Sequence, residues 1–207
     1  LPDSGVAMRD SHPWKTARWI HSVVVSLLFA PPVAAQVLED RSPAIKAAYL
    51  LQIPRHVFWP KTKAEALNGK PGQSELRIIV IGNSPTYRVL EALSTKSSAL
   101  PYRVVVRRKR SVSALTETDV KWTHIVYVPA QRDCRLVQAA YPSQPYLLVT
   151  DGARGTEAGA AVAFYISENK VRLELAPYQA SARGIEFSSK LLRIAGTVRR
   201  GPNQAQR

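Results

Sequence analysis

Leu76-Arg77-Ile78-Ile79-Val80-Ile81 runs straight into Gly82-Asn83-Ser84-Pro85. A short, nearly continuous apolar run that stops at glycine is the pattern of a strand covered on both faces. Pro85 suits the first turn of a helix behind it, with Val89, Leu90 and Leu93 as the stripe that helix would bury. The unit recurs downstream. Residues 102–106, 124–128 and 146–149 read as three more strands, the last ending at Asp151-Gly152. A short helix around residues 113–116 and another carrying Leu136, Val137, Ala140 and Tyr141 fall between them. Strands alternating with helices imply a parallel sheet with helical crossovers.

The flanks differ. Residues 161–166 and 171–175 are joined by Ser167-Glu168-Asn169-Lys170 and predict a β-hairpin. Its second arm alternates Val171, Leu173 and Leu175 with Arg172 and Glu174, as a strand with one wet face does. Ser188-Ser189 can cap a last helix carrying Leu191, Leu192, Ile194, Ala195 and Val198. Upstream, Ile45, Ala48, Tyr49, Ile53 and Val57 keep helical spacing, and Pro54 should end or kink that helix. Residues 61–75, polar and holding Gly69 and Gly72, read as loop. The expected fold is α/β: a mostly parallel sheet with flanking helices, ending in a β-hairpin and a C-terminal helix.

Of the 207 residues 45% are apolar, too many for a disordered chain, and Cys134 alone excludes an internal disulfide or a multi-thiolate metal site. The first 35 residues have a leader's three parts. Lys15 and Arg18 precede the apolar run 23–29, Pro31-Pro32 break it, and Val33-Ala34-Ala35 offers the small residues of a cleavage site, leaving Gln36 first. The run is far short of the ~20 residues that span a bilayer. Met8 sits where a start would give a leader of ordinary length, which would put residues 1–7 upstream of it. The organisation expected is thus a cleaved signal peptide over 1–35, one domain over 36–198 and a polar, disordered tail over 199–207, in an exported protein with no stable membrane insertion.

Residues 1–35 carry three basic and two acidic groups, so a net charge of +14 becomes +13 in the mature chain. Such a field attracts anionic partners. The densest run is Arg107-Arg108-Lys109-Arg110, and without interleaved aromatics it does not point to nucleic acid. In an exported protein it faces lipid head groups, cell-wall polymer or an acidic protein face, or is simply a solvated strand end. No nucleophile elbow and no P-loop occurs, and His56, His124 and Cys134 show no recognised metal-ligand spacing. Asn83 and Ser84 after the first strand, with Asp151 after the fourth, lie at the carboxyl edge where open α/β sheets bind ligands. They are the candidate pocket of a small-ligand binding protein, the alternative function. Cys134 at a helix start, near Arg132 and Arg135, is either a thiol of lowered pKa open to intermolecular pairing or a semi-buried, inert one.

Several strings resemble one family in order: 44–51 (AIKAAYLL) with Phe58-Trp59-Pro60, then 76–82, 146–152, 163–165 with 171–175, and 184–195 closing on SSKLLRIA. Together they cover nearly all of 44–198, and they are similar to the YfiR-like family. That resemblance implies a small α/β protein of the Gram-negative periplasm, without catalytic residues or cofactor. It would bind the periplasmic sensor domain of an inner-membrane diguanylate cyclase, lower cyclic di-GMP and so restrain biofilm formation. A homodimer is a second association. Tyr49, Phe58 and Trp59 are the candidate partner-binding residues. Three features depart from the family pattern: Pro54 interrupts the first helix, Phe58 stands where an acidic residue is usual, and no second cysteine is present.

Overall fold

The computed structural model describes residues 33–69, 73–95 and 100–201, with side chains from Arg41 onward. The signal-peptide expectation therefore falls almost wholly outside the described residues, as do 202–207 of the expected tail. Among the described residues no helix is long and apolar enough to cross a membrane.

Helix α1 spans Val33–Gln52 and passes through Pro43, starting well ahead of Ile45, where the helical spacing begins. It stops where Pro54 predicts, tightening into a 3-10 turn over Ile53–His56. β1 (Val57–Phe58) and α2 (Lys61–Leu67) follow. The helix α2 corrects the loop expected over 61–75. Its stretch of Lys, Ala, Glu and Leu has good helix propensity, and Lys63 and Leu67, four apart, bury its inner face. The core then alternates as β2 (Glu75–Ile81), α3 (Pro85–Ser94), β3 (Arg103–Lys109), α4 (Glu117–Trp122), β4 (Ile125–Val128), α5 (Gln131–Ala140), β5 (Leu147–Asp151) and β6 (Val162–Ser167). The chain closes with β7 (Lys170–Leu175), α6 (Pro177–Ser181), β8 (Glu186–Phe187), α7 (Ser189–Ile194) and β9 (Thr197–Val198).

The main sheet has the order β3-β2-β4-β5-β6-β7-β9; β1 and β8 form a second, two-stranded sheet. β2 to β6 are mutually parallel, β7 is antiparallel to β6, and β9 lies parallel to β7. The chain steps outward from β2 to β3 and then crosses to β4, so β2 and β4 flank the switch point of an open α/β sheet. Ile78, Ile79, Val80 and Ile81 are all buried, as a two-faced strand requires. Alternate residues split between two cores. Ile78, Val80, Ile125 and Val149 meet Ala47 and Leu50 of α1 and Leu90 of α3. Ile79, Ile81, Val126 and Leu148 meet Val120 of α4 and Cys134 and Val137 of α5.

Several caps and turns are as the residues predict. Gly82 leaves β2 at φ +82°, open to glycine without strain, and Ser84 Oγ then accepts the Thr86 N–H at 3.2 Å to cap α3. The hairpin turns on Glu168 and Asn169, at φ 51° and 54°, as a two-residue left-handed turn. Ser188 caps α7 through Leu191 N–H at 3.3 Å. That helix ends at Ile194, however, and Val198 lies instead in β9, beyond Gly196. Leu93, expected in a buried stripe, is 36% exposed, and Leu136 of α5 is 50% exposed; Thr86 and Cys134 take the inward positions. Glu174, expected on a wet face, is buried: Thr156 Oγ1 donates to Oε1 and Arg154 N–H to Oε2 at 3.0 Å. The Cys134 thiol is also fully buried, and burial pushes its pKa up to about 12, which favours the inert alternative over a thiol of lowered pKa.

Candidate partner-binding face

The helix α1 carries two apolar faces. Ala47, Leu50 and Leu51 enter the core. Ile45, Ala48 and Tyr49, which the spacing singles out, line with Gln52 a groove of about 390 Å³ closed by Ile53, His56 and, from α7, Leu191 and Ile194. Ile194 is 55% exposed. The Tyr49 ring is half-buried and rests on Phe164, centroids 5.9 Å apart. Across the 3-10 turn lies a second cleft of about 410 Å³, lined by Pro54, Arg55, Phe58, Trp59, Leu67 and Tyr102 among others. Ile53 and His56 thus face one cleft and Pro54 and Arg55 the other. The three candidate partner residues divide accordingly, with Tyr49 in the groove and Phe58 and Trp59 in the cleft.

Phe58 and Trp59 differ in kind. Phe58 sits on the short β1 strand and is 64% exposed. Trp59 is half-buried; its indole Nε1 donates to Pro54 O at 3.3 Å and its ring stands edge-on to His124, centroids 5.5 Å apart. Below Trp59 is a buried polar node. The Lys63 ammonium donates to the carbonyls of Lys121 and Thr123 and so caps the C-terminus of α4. His124 Nδ1 accepts the Arg77 N–H at 3.1 Å, which leaves the proton on Nε2, facing Lys63 O at 3.2 Å. Burial, with Arg77 adding to it, lowers the Lys63 pKa to about 8; burial is also the main cause that takes His124 down to about 4. These contacts fix α2 and the floor of the cleft. His56, at the groove, is held below its usual value by burial and then by Lys190 and Arg55.

The carboxyl edge gathers the other candidates. Asp151 Oδ1 accepts from the Tyr127 hydroxyl at 2.9 Å and Oδ2 pairs with the Lys46 ammonium of α1 at 2.7 Å. The buried Tyr127 hydroxyl also senses Thr86 and Ser84, and its pKa is raised by burial and by Asp151. Ser84 and Asp151 therefore meet around Tyr127, while Asn83 stays exposed at the rim. Lys46 and Tyr127 were not singled out from sequence; Lys46 lies three residues before Tyr49 on α1, and its partner is 105 residues away. No group of three His, Cys, Asp or Glu side chains able to hold a metal occurs among the described residues.

Two solved structures are similar to this chain at 12% identity. One is the ABC domain in complex with L-Trp from Streptococcus pneumonia, with a TM-score of 0.46 over 67% of this chain. The other is a conserved domain protein from Vibrio cholerae O1 biovar El Tor, with a TM-score of 0.47 over 69%. The match spans about three fifths of each of those chains, 60% and 61%. No curated protein matches. Residues 43–196 match the YfiR/HmsC-like family, a stretch that runs from α1 to the end of α7 and holds both clefts; the chain belongs to that family.

Proposed function

We propose that this protein is a non-enzymatic periplasmic regulator that binds the sensor domain of an inner-membrane diguanylate cyclase and holds the enzyme inactive, lowering cyclic di-GMP. Membership of the YfiR/HmsC-like family supports the regulatory role. The observation that carries the site is the pair of clefts on either side of the Ile53–His56 turn, with Phe58 and Ile194 left exposed between packed neighbours. Exposed aromatic and aliphatic side chains beside preformed clefts are the usual anchors of a protein interface. Tyr49 and Trp59 would form the walls and Phe58 the anchor.

The test is cyclic di-GMP in a strain deleted for the gene, in the same strain complemented, and in one complemented with Phe58→Asp. Repression predicts a rise on deletion, reversal by the wild-type gene, and failure of the variant to reverse it at equal periplasmic level. Unchanged cyclic di-GMP on deletion would overturn the cyclase reading. Full complementation by Phe58→Asp would remove Phe58 from the interface.

A further inference from the structure

β3 is the outer strand of the main sheet. Its inner edge is taken by β2: the Arg103 N–H donates to Ser74 O and the Gly82 N–H donates to Lys109 O, both at 2.8 Å. Odd-numbered residues of β3 thus turn their main-chain groups toward β2. Val104, Val106 and Arg108 turn theirs outward, where no described backbone group bonds them.

Side chains along this strand alternate between the two faces of the sheet. Arg107 leans over Trp122 of α4, its Cζ 3.8 Å from the ring centroid; Arg108 leans over Tyr87 of α3, 5.4 Å from its centroid. Lys109 is paired with Asp119 at 2.7 Å. Arg107, Arg108 and Arg110 are exposed and make no ion pair among the described residues. An open row of main-chain donors and acceptors is therefore bracketed by a guanidinium on each face.

We infer that the outer edge of β3 is a docking strand for an acidic, extended segment of a partner protein, added to the sheet as an eighth strand with Arg107 and Arg108 closing on its carboxylates from opposite faces. Main-chain bonds to Val104, Val106 and Arg108 supply the pairing, and adjacent acidic side chains, which point to opposite faces, meet the two cations. The rings of Trp122 and Tyr87 hold the guanidinium groups in place before binding, so less side-chain freedom is lost on contact. Charge on an edge normally guards it against pairing. Here one sign only makes the guard selective: a second copy of β3 would set arginine against arginine, which like charges oppose. A bilayer surface would offer phosphates to the arginines but no strand for the main chain. The surface is distinct from the Phe58 face and stands whether or not the partner is a cyclase.

The probe is a fluorescent heptapeptide, Thr-Thr-Glu-Glu-Glu-Thr-Thr, whose adjacent carboxylates fall on both faces of an extended strand, titrated into the whole protein at low salt and followed by anisotropy. Its controls are the same peptide N-methylated at every amide, and vesicles of phosphatidylglycerol. Strand addition predicts three results. The parent peptide binds; N-methylation and the double change Arg107→Glu, Arg108→Glu each weaken it by at least about tenfold; and exchange of the Val104, Val106 and Arg108 amides slows in the wild-type complex. The exchange result needs no variant, so it stands if the double variant fails to fold. Equal affinity of the N-methylated peptide, or no protection of those amides, would overturn strand addition. Arginine-dependent binding to vesicles without peptide binding would overturn it in favour of a membrane contact.

Discussion

The sheet's two ends treat their exposed chemistry in opposite ways. At the carboxyl end, Asp151 is enclosed by Lys46 from α1 and Tyr127 from β4, so the fold supplies the cation and the donor that a ligand would otherwise bring. At the amino end the fold leaves Phe58 64% exposed beside a cleft, and the groove that runs along α1 from Ile45 to His56 keeps Ile194 55% exposed. One helix spans both ends, since α1 carries Lys46 at one and Gln52 at the other. Polar residues at a sheet edge are readily consumed by the protein's own network, because a buried polar group without a partner costs about 1–3 kcal/mol. Exposed apolar surface has no such internal remedy, and where it clusters beside a cleft it marks contact with something else.

Phe164 joins the two ends. Its ring meets Tyr49 at 5.9 Å and Tyr127 at 6.2 Å, and it is 1% exposed. Phe164→Ala should remove both supports at once and cost about 3–5 kcal/mol, read as the unfolding midpoint in denaturant. A loss below ~1 kcal/mol would mean that the two ends are independent.

The polar node under Trp59 gives the next effect, through pH. Burial disfavours the charged form of His124 and lowers its pKa to about 4, against the ordinary 6.5 of an exposed imidazole. Between those values the unfolded chain binds the proton and the folded one does not, so stability falls as pH drops through that window. The loss approaches about 3 kcal/mol at its lower end. Melts at pH 7, 5.5 and 4.5 should descend, while the His124 imidazole resonances stay in the neutral form until near pH 4. An imidazole titrating near 6.5 would show the node to be open to water.

Much of this architecture was legible in short strings, and the misses share a cause. Leu76 to Pro85 carries its own instructions: an apolar run, a glycine for the exit, a serine cap and a proline in the first turn. Pro54, Glu168-Asn169 and Ser188 work the same way, because backbone chemistry acts within a few residues. The expectations that failed depend on distant partners. Lys63 turns polar residues 61–67 into a docked helix by reaching the end of α4, 58 residues on. Glu174 is drawn inward by Thr156 and Arg154. Cys134 has the sequence position of a reactive thiol and the burial of an inert one. On α1, spacing picked out Ile45, Ala48 and Tyr49, which line the groove, but not Ala47, Leu50 and Leu51, the second apolar side that enters the core. Ser84 and Asp151 do converge, but the Lys46 that meets Asp151 was invisible without the fold.

Tyr127→Phe isolates the carboxyl end. It keeps the ring against Phe164 and deletes only the hydroxyl that serves Asp151. A buried hydrogen bond to a charged group is worth about 1.5–3 kcal/mol, and Lys46 continues to hold the carboxylate. The net loss should therefore be about 1–2 kcal/mol, with cyclic di-GMP control unchanged. Altered control in a stably folded Tyr127→Phe protein would make the Asp151 cluster functional and break the contrast between the two ends.

The smallest change in stability belongs to Phe58→Ala. Its side chain is mostly in water and its strand is held to β8 through the main chain, so truncation leaves no cavity. Surface changes of this kind move stability by less than about 0.5 kcal/mol. An anchor residue of an interface, by contrast, commonly costs more than about 1 kcal/mol of binding. The two quantities should therefore separate: an unshifted melt, with at least about fivefold weaker binding of the isolated sensor domain by calorimetry. A melt lowered in proportion to the binding loss would place Phe58 among the packing residues and leave Ile194 and the α1 groove as the part of the face exposed for a partner.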